Sequence, residues 1–409
     1  MPVNINGKFL YLFAFFLFII SACYGLLMRW NFVFPIQSFP YQNIMQSHSH
    51  VAFLGWGYIA TITVIIKLFV PKLKSQAKIY ARSLFIVLLT VSLMLISFPL
   101  GGYKIFSITL LSIFGIATYV LSYRILRDIE GNGITIRLIK YGIYYYLLSS
   151  LATWFIAGVL VSQGKTNLYY NSIYFYLHFL YNGFFVFALF GIFFKILESN
   201  AIEFSQKLQK IFFHYLNIAC IPAYLLSILW IGVSISYHII GFVAAFLQFI
   251  SLIYLIVLIR NTNGKISRAF IPKLLLKFAL IAYGTKVLLQ LLSAFPYFVA
   301  ITLALKPFLI IGYLHLFTLA FMSVFLIFIY YKLRLFEFVK KLSKSGVIIF
   351  LLGIFSTEFI LFLQGFLVIV EVQPLVYYNQ LLLIFSITIV LGLLVIFVQQ
   401  FYKSNKRSA

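Results

Sequence analysis

The feature that most constrains this chain is the spacing of its apolar runs. Segments of about 20 residues, nearly free of charge, recur along its whole length, and each is long enough to cross the hydrocarbon core of a bilayer. The linkers between them are short and basic, and the longest polar stretch is about 16 residues, which leaves no room for a soluble domain. Twelve spans are expected, at roughly 9–28, 48–70, 83–100, 104–123, 138–161, 171–195, 211–232, 236–259, 273–299, 305–330, 346–370 and 380–402. Each should be an α-helix, because lipid offers backbone N–H and C=O groups no partner outside the segment. Only 9% of the residues are charged, too few for a soluble chain of 409 residues to cover its surface. The expectation is therefore all-α: one integral-membrane domain over 1–409, a polytopic bundle of about 12 transmembrane helices.

The net charge of +24 does not point to nucleic acid, because the basic residues sit in short clusters between apolar runs. With the N-terminus inside, inner segments hold 26 of them, among them Lys72, Lys74, Arg124, Arg127, Lys340, Lys341, Lys403, Lys406 and Arg407. Outer segments hold four, Arg29, Lys104, Lys165 and Lys306, while Lys286 falls inside a span. That asymmetry places both termini in the cytoplasm, in a bacterial-type inner membrane, and supports the count, since one missed span would reverse every later loop. The first apolar run is too long for a signal-peptide core and reads as a retained helix. Cys23 and Cys220 lie within apolar runs and read as small packing residues.

Histidine is scarce, with six in the chain, and five of the six fall in the outer half of the bilayer under this topology. His48 and His50 open span 2, His178 lies in span 6, His238 opens span 8, and His315 lies roughly 15 Å deep in span 10. His214 is at the inner end of span 7. His238 and His214 read as interfacial hydrogen-bonding groups. A histidine deep in lipid, such as His315, should face protein and have a partner. Neutral imidazole is a common haem and metal ligand, and a bundle core can hold a haem between facing helices. Residues two apart on a helix point to nearly opposite sides, so one of the span 2 pair is expected to face inward. The deeper His50 is favoured as ligand, with His48 capping the helix or binding a propionate. Ala52, Gly55 and Gly57, and Gly312, Thr318 and Ala320, offer small residues beside a macrocycle. No internal repeat is evident.

Twelve spans with histidines near the outer side of spans 2, 6 and 10 resemble subunit I of the haem–copper oxidase superfamily, which includes cytochrome c and quinol oxidases and nitric oxide reductases. "SHSHVAFLGWGY" is similar to the "HxHxxxFGW" opening of small oxidase-like and nitric-oxide-response membrane proteins, and "YLHFLYNGFFVFALFG" and "GYLHLFTLAF" resemble further segments of those relatives. The resemblance implies a low-spin haem, b-type, on His50 or His48 with His315, and a copper ligand at His178. It also implies a respiratory redox role. The match has gaps. Span 10 carries one histidine rather than two, span 7 lacks the copper pair, and Tyr181 stands in "HFLYN" rather than in the cross-linked tyrosine motif. One haem between His50 and His315 is what the ligand count supports, with His178 and Tyr181 left for a second metal or a haem edge. The activity expected is electron transfer, or reduction or sensing of oxygen or nitric oxide.

Two ionisable residues lie inside spans, Lys286 in "AYGTKVLLQ" and Glu358 in "FSTEFILFLQG". Such residues mark functional sites, and these two are expected either to neutralise each other or to carry protons. They support an alternative reading, a secondary transporter with histidine proton relays. The chain shows no phosphate-cradling glycine loop and no paired carboxylates of hydrolytic type. The expected partners are the lipid bilayer and an electron-transfer subunit, since the chain has no soluble redox domain of its own.

Overall fold

The computed structural model describes residues 7–37, 40–262 and 264–401, and among these every regular element is helical and no strand occurs. In chain order the main helices are α1 (Lys8–Val33), α2 (Tyr41–Phe69), α3 (Lys78–Gly101), α4 (Ile105–Asp128), α5 (Ile134–Gln163), α6 (Asn167–Ser199), α7 (Gln206–Cys220), α8 (Ile235–Arg260), α9 (Phe270–Leu292), α10 (Pro307–Lys332), α11 (Lys341–Ile369) and α12 (Tyr378–Gln399). All but α7 are long and apolar enough to cross a membrane, which makes eleven among the described residues. The chain is thus an all-α, multi-pass membrane protein. The basic residues Lys403, Lys406 and Arg407 lie outside the described residues, as does the side chain of Lys306.

The expected span at 211–232 is a broken helix. α7 is α-helical for 15 residues and then tightens into 3₁₀ turns over Pro222–Ser227 and Leu229–Ile231. Pro222 has no N–H to give the α ladder, and Tyr224 N–H bonds the carbonyl of Ile221, three residues back. The carbonyl of Cys220 is thereby released for another donor. α9 also stops short of its expected end, at Leu292, and a separate short helix begins at Pro296, where proline suits a first turn.

Contacts divide the chain into two compact units. One holds the residues up to Ile129 and from Leu326 onward, and the other holds Glu130–Phe325, the boundary falling within α10. In the first unit, Trp56 is fully buried, stacked on Phe18 at 5.0 Å and edge-on to Tyr330 at 5.7 Å. Gly55, beside it, lets α2 lie close to Leu17 and Val91, which a Cβ would meet at 3.2 Å. α11 and α12 pair even more tightly, because Gly392 rests on the backbone of Phe350 and Gly353 on that of Ile389. In the second unit, Phe190 of α6 packs on Phe212, Tyr283 and Phe321, and Gly183 accommodates the ring of Tyr145.

Three helices are more enclosed than the rest. The most apolar stretch is 94% buried in α6, 78% in α2 and 61% in α10, against 56% or less in the other eight candidate spans. The same three carry π-helical segments, at Val51–Tyr58, Phe179–Phe185 and Leu316–Ser323. Each segment begins at the residue after a histidine: His50, His178 and His315. In each, a small residue and then an aromatic follow five and six positions on: Gly55–Trp56, Gly183–Phe184 and Ala320–Phe321. A repeat is therefore present after all, recurring at every fourth helix. π-Bulges of this kind concentrate at functional sites.

Gly392→Ala should separate α11 from α12, because its Cβ would fall 2.5 Å from the backbone nitrogen of Phe350, which cannot move aside. A loss of about 1–3 kcal/mol is expected. Thermal unfolding in detergent measures it, with Gly158→Ala, where nothing lies within 4 Å, as the unchanged control.

Candidate functional site

α2 begins at Tyr41, seven residues ahead of His48, so both span 2 histidines are within a regular helix instead of on its approach. They point to different sides, as their spacing requires. His48 faces α1. Its Nδ1 lies 2.8 Å from the carbonyl oxygen of Ser21, and the Ser21 hydroxyl donates to the carbonyl of His48 at 3.0 Å. A Cβ on Gly25 would come within 3.1 Å of the imidazole Cε1, so α1 is cut away beneath the ring. A carbonyl facing Nδ1 requires Nδ1 to carry the proton, which puts the imidazole lone pair on Nε2.

His50 is turned toward the α3–α4 corner. Its Nδ1 donates to the carbonyl of Gln46 at 2.7 Å, one turn back on its own helix. Its Nε2 accepts from the Tyr103 hydroxyl at 3.1 Å, and the ring stacks on Phe98 with centroids 4.5 Å apart. The proton and the lone pair of His50 are both engaged by protein. Its position ties the outer end of α2 to the residues that join α3 and α4.

In the second unit, His178 sits at the centre of a buried polar chain. Its Nε2 donates to the carbonyl of Cys220 at 2.8 Å, the one released where α7 breaks. Its Nδ1 accepts from the Asn182 amide at 3.2 Å. The Asn182 oxygen in turn accepts from the Lys286 amine, which also donates to Gln290 Oε1 at 2.6 Å. His178, Asn182, Lys286 and Gln290 are 9% exposed or less. Lys286 is therefore solvated inside the membrane by two amide oxygens, the arrangement a buried amine needs. Tyr181, also buried, stacks on Phe317 at 5.0 Å. His315 is half-buried, at the residue before its π segment.

Glu358 is buried in α11 and lies within electrostatic reach of Arg29 on α1, so it has a cationic neighbour within its own unit. The remaining histidines, His238 and His214, lie apart from these groups. His238 Nδ1 donates to the carbonyl of Ala294 at 2.8 Å, and His214 is exposed. Among the described residues, no group of three or more His, Cys, Asp or Glu side chains converges as a metal site.

Sequence reasoning missed Ser21, Gly25, Tyr103, Asn182 and Gln290. Two of them carried a readable signal: Asn182 lies four residues after His178, and Gln290 four after Lys286, so each is on the same helix face as its partner. The other three are long-range neighbours that no local pattern marks.

No protein-family model matches this chain, and no curated protein matches it.

Asn182→Ala should cost about 1–3 kcal/mol, because it leaves both the His178 lone pair and the Lys286 amine short of a partner in the bilayer interior. Lys286→Met should cost less than Asn182→Ala, since it removes the buried amine together with its demand for partners. Unfolding curves of the two variants in the same detergent decide the order.

Proposed function

We propose that this chain is a haem-binding membrane redox protein resembling subunit I of the haem–copper oxidase superfamily. In this reading it sits in a bacterial-type cytoplasmic membrane and acts in electron transfer, or in reduction or sensing of oxygen or nitric oxide. The observation that carries the proposal is the hydrogen bond from His48 Nδ1 to the Ser21 carbonyl. Metal-bound imidazoles commonly donate their other N–H to a backbone carbonyl, which fixes the ring and makes it a better electron donor. His48 fits a ligand on that ground, with its ring seated against α1 at Gly25. His50, bonded to Gln46 and Tyr103, ties α2 to the α3–α4 corner, and it stays the alternative ligand of the span 2 pair. His315, which the sequence reading names as a ligand, lies in the other compact unit. A b-type haem, held by these histidines, would supply a one-electron iron couple. His178, engaged at both ring nitrogens, is better suited to holding the broken end of α7 than to binding copper.

The topology proposed with it is twelve crossings with both termini cytoplasmic. α7 and its 3₁₀ continuation to Ile231 together reach roughly 40 Å, enough to traverse a core of about 30 Å. Reporter fusions at Lys165 and Ser234 should both read as external and a fusion at Lys265 as internal; opposite locations for Lys165 and Ser234 would remove α7 from the count.

Protein purified from haem-supplied cells should show a Soret band and sharp reduced-form bands. His48→Ala should abolish or broaden them, His50→Ala should retain them, and His315→Ala tests the second position. Colourless, folded protein would overturn the haem reading. The second reading, a transporter, draws on the membrane-embedded Lys286 chain, and substrate uptake that Lys286→Met abolishes would favour it.

A further inference from the structure

The Lys286 amine is held by two neutral oxygens, Asn182 Oδ1 and Gln290 Oε1, and the residue is 2% exposed. A neutral amine has two N–H bonds, and each has its acceptor here. The third N–H of an ammonium meets none among the described residues. The acidic residues of this unit stand at helix ends: Glu130 before α5, Glu198 in the last turn of α6 and Glu203 between α6 and α7. The titratable groups that face Lys286 are a thiol, an imidazole and phenols rather than carboxylates. Cys220 of α7 and His178 of α6 lie within electrostatic reach of it. Tyr145 of α5 and Tyr283 of α9 neighbour Cys220, and Tyr313 of α10 neighbours Tyr283. From α8, His238 reaches the carbonyl of Ala294, beyond the end of α9. Lys286 is six residues from that end at Leu292, about 9 Å along the axis, a short way for a proton to travel.

We propose that Lys286 is a reversible proton-binding site whose loading is transmitted through Asn182 and His178 to the broken end of α7. Loading adds one proton to the Nζ lone pair, and no other covalent bond forms or breaks. The transmission follows from how each donor and acceptor is committed. An ammonium holds the Asn182 oxygen more strongly than an amine does, since bonds from a charged donor are roughly twice as strong. Holding that oxygen turns the Asn182 N–H toward His178 Nδ1. An imidazole that accepts at Nδ1 donates from Nε2, here to the Cys220 carbonyl freed at the break. Each bond polarises the next. With Lys286 loaded, the chain holds the 3₁₀ turns after Cys220 firmly; unloaded, every link is weaker. The proposal is confined to the second unit and does not depend on the haem reading.

The test uses the full chain in lipid vesicles. The nitrogen NMR signal of Lys286 Nζ, identified by its loss in Lys286→Met, reports loading. Hydrogen exchange of the amides at 223–231, corrected for its intrinsic pH dependence, reports the break. Both should change across one pH midpoint, with exchange about fivefold faster once Lys286 is unloaded. In Lys286→Met the pH-dependent step should vanish from 223–231. In Asn182→Leu the Nζ signal should still titrate while the step is lost. If Asn182→Leu does not fold, the wild-type midpoints and Lys286→Met decide. An Nζ that keeps one charge state between pH about 5 and 10 overturns the proton site. A step at 223–231 that survives in Lys286→Met, or whose midpoint stands apart from that of Nζ, overturns the transmission.

Discussion

Inside a bilayer a polar group has no water to fall back on, and the rest of this structure follows from that constraint. The backbone answers it by being helical throughout the described residues. Many of the buried polar side chains answer it one by one. Ser47, Thr63, Thr90 and Ser172 each return a hydroxyl to a carbonyl one turn back on their own helix. The side chains that cannot do so are brought to partners on other helices, and those are the residues that draw functional attention: His48 to Ser21, His178 to Cys220 and Lys286 to Asn182. A broken helix and a widened one become useful here, since each exposes carbonyls that a regular α ladder would consume.

The broken end of α7 and the π segments share that logic. An α-helix uses each interior carbonyl for one of its own N–H groups, leaving at most the second lone pair for a side chain. At Pro222 the ladder fails, and the freed Cys220 carbonyl becomes the acceptor that holds His178. In α10, the Ser323 hydroxyl bonds the carbonyl of Thr318, five residues back, the spacing that a π turn opens. Irregular backbone at depth is tolerated where protein surrounds it, and the three helices with π segments are the three most enclosed. Enclosure, irregularity and histidine thus coincide, at every fourth helix, for a common physical reason.

Fold class was legible from the sequence because it depends on length and hydropathy alone. Eleven of the expected spans coincide with helices, and the boundaries moved where local chemistry intervened: α2 starts at Tyr41 rather than 48, and α9 ends at Leu292 ahead of Pro296. The repeat was legible too, but only once the three histidines were set in register, since its shared residues are one histidine, one small side chain and one aromatic in a chain rich in all apolar types. What the sequence could not reveal was which of His48 and His50 turns toward which neighbour. Spacing gives their divergence of about 200°, and the choice between the two sides depends on Ser21 and Tyr103, 27 and 53 residues away.

The distinction between the two histidines is chemical as well as geometric. A neutral imidazole has one N–H and one lone pair, and what a protein does with the first determines what the second is available for. In His50 the N–H goes to its own helix and the lone pair to a tyrosine, and the ring becomes a tie between segments. In His48 the N–H goes to a neighbouring helix, to the carbonyl of Ser21 in the interior of α1. An identical side chain two residues earlier therefore acquires its orientation from another helix. The two rings, two residues apart, are thus held in different ways, one within its own helix and corner and the other against α1.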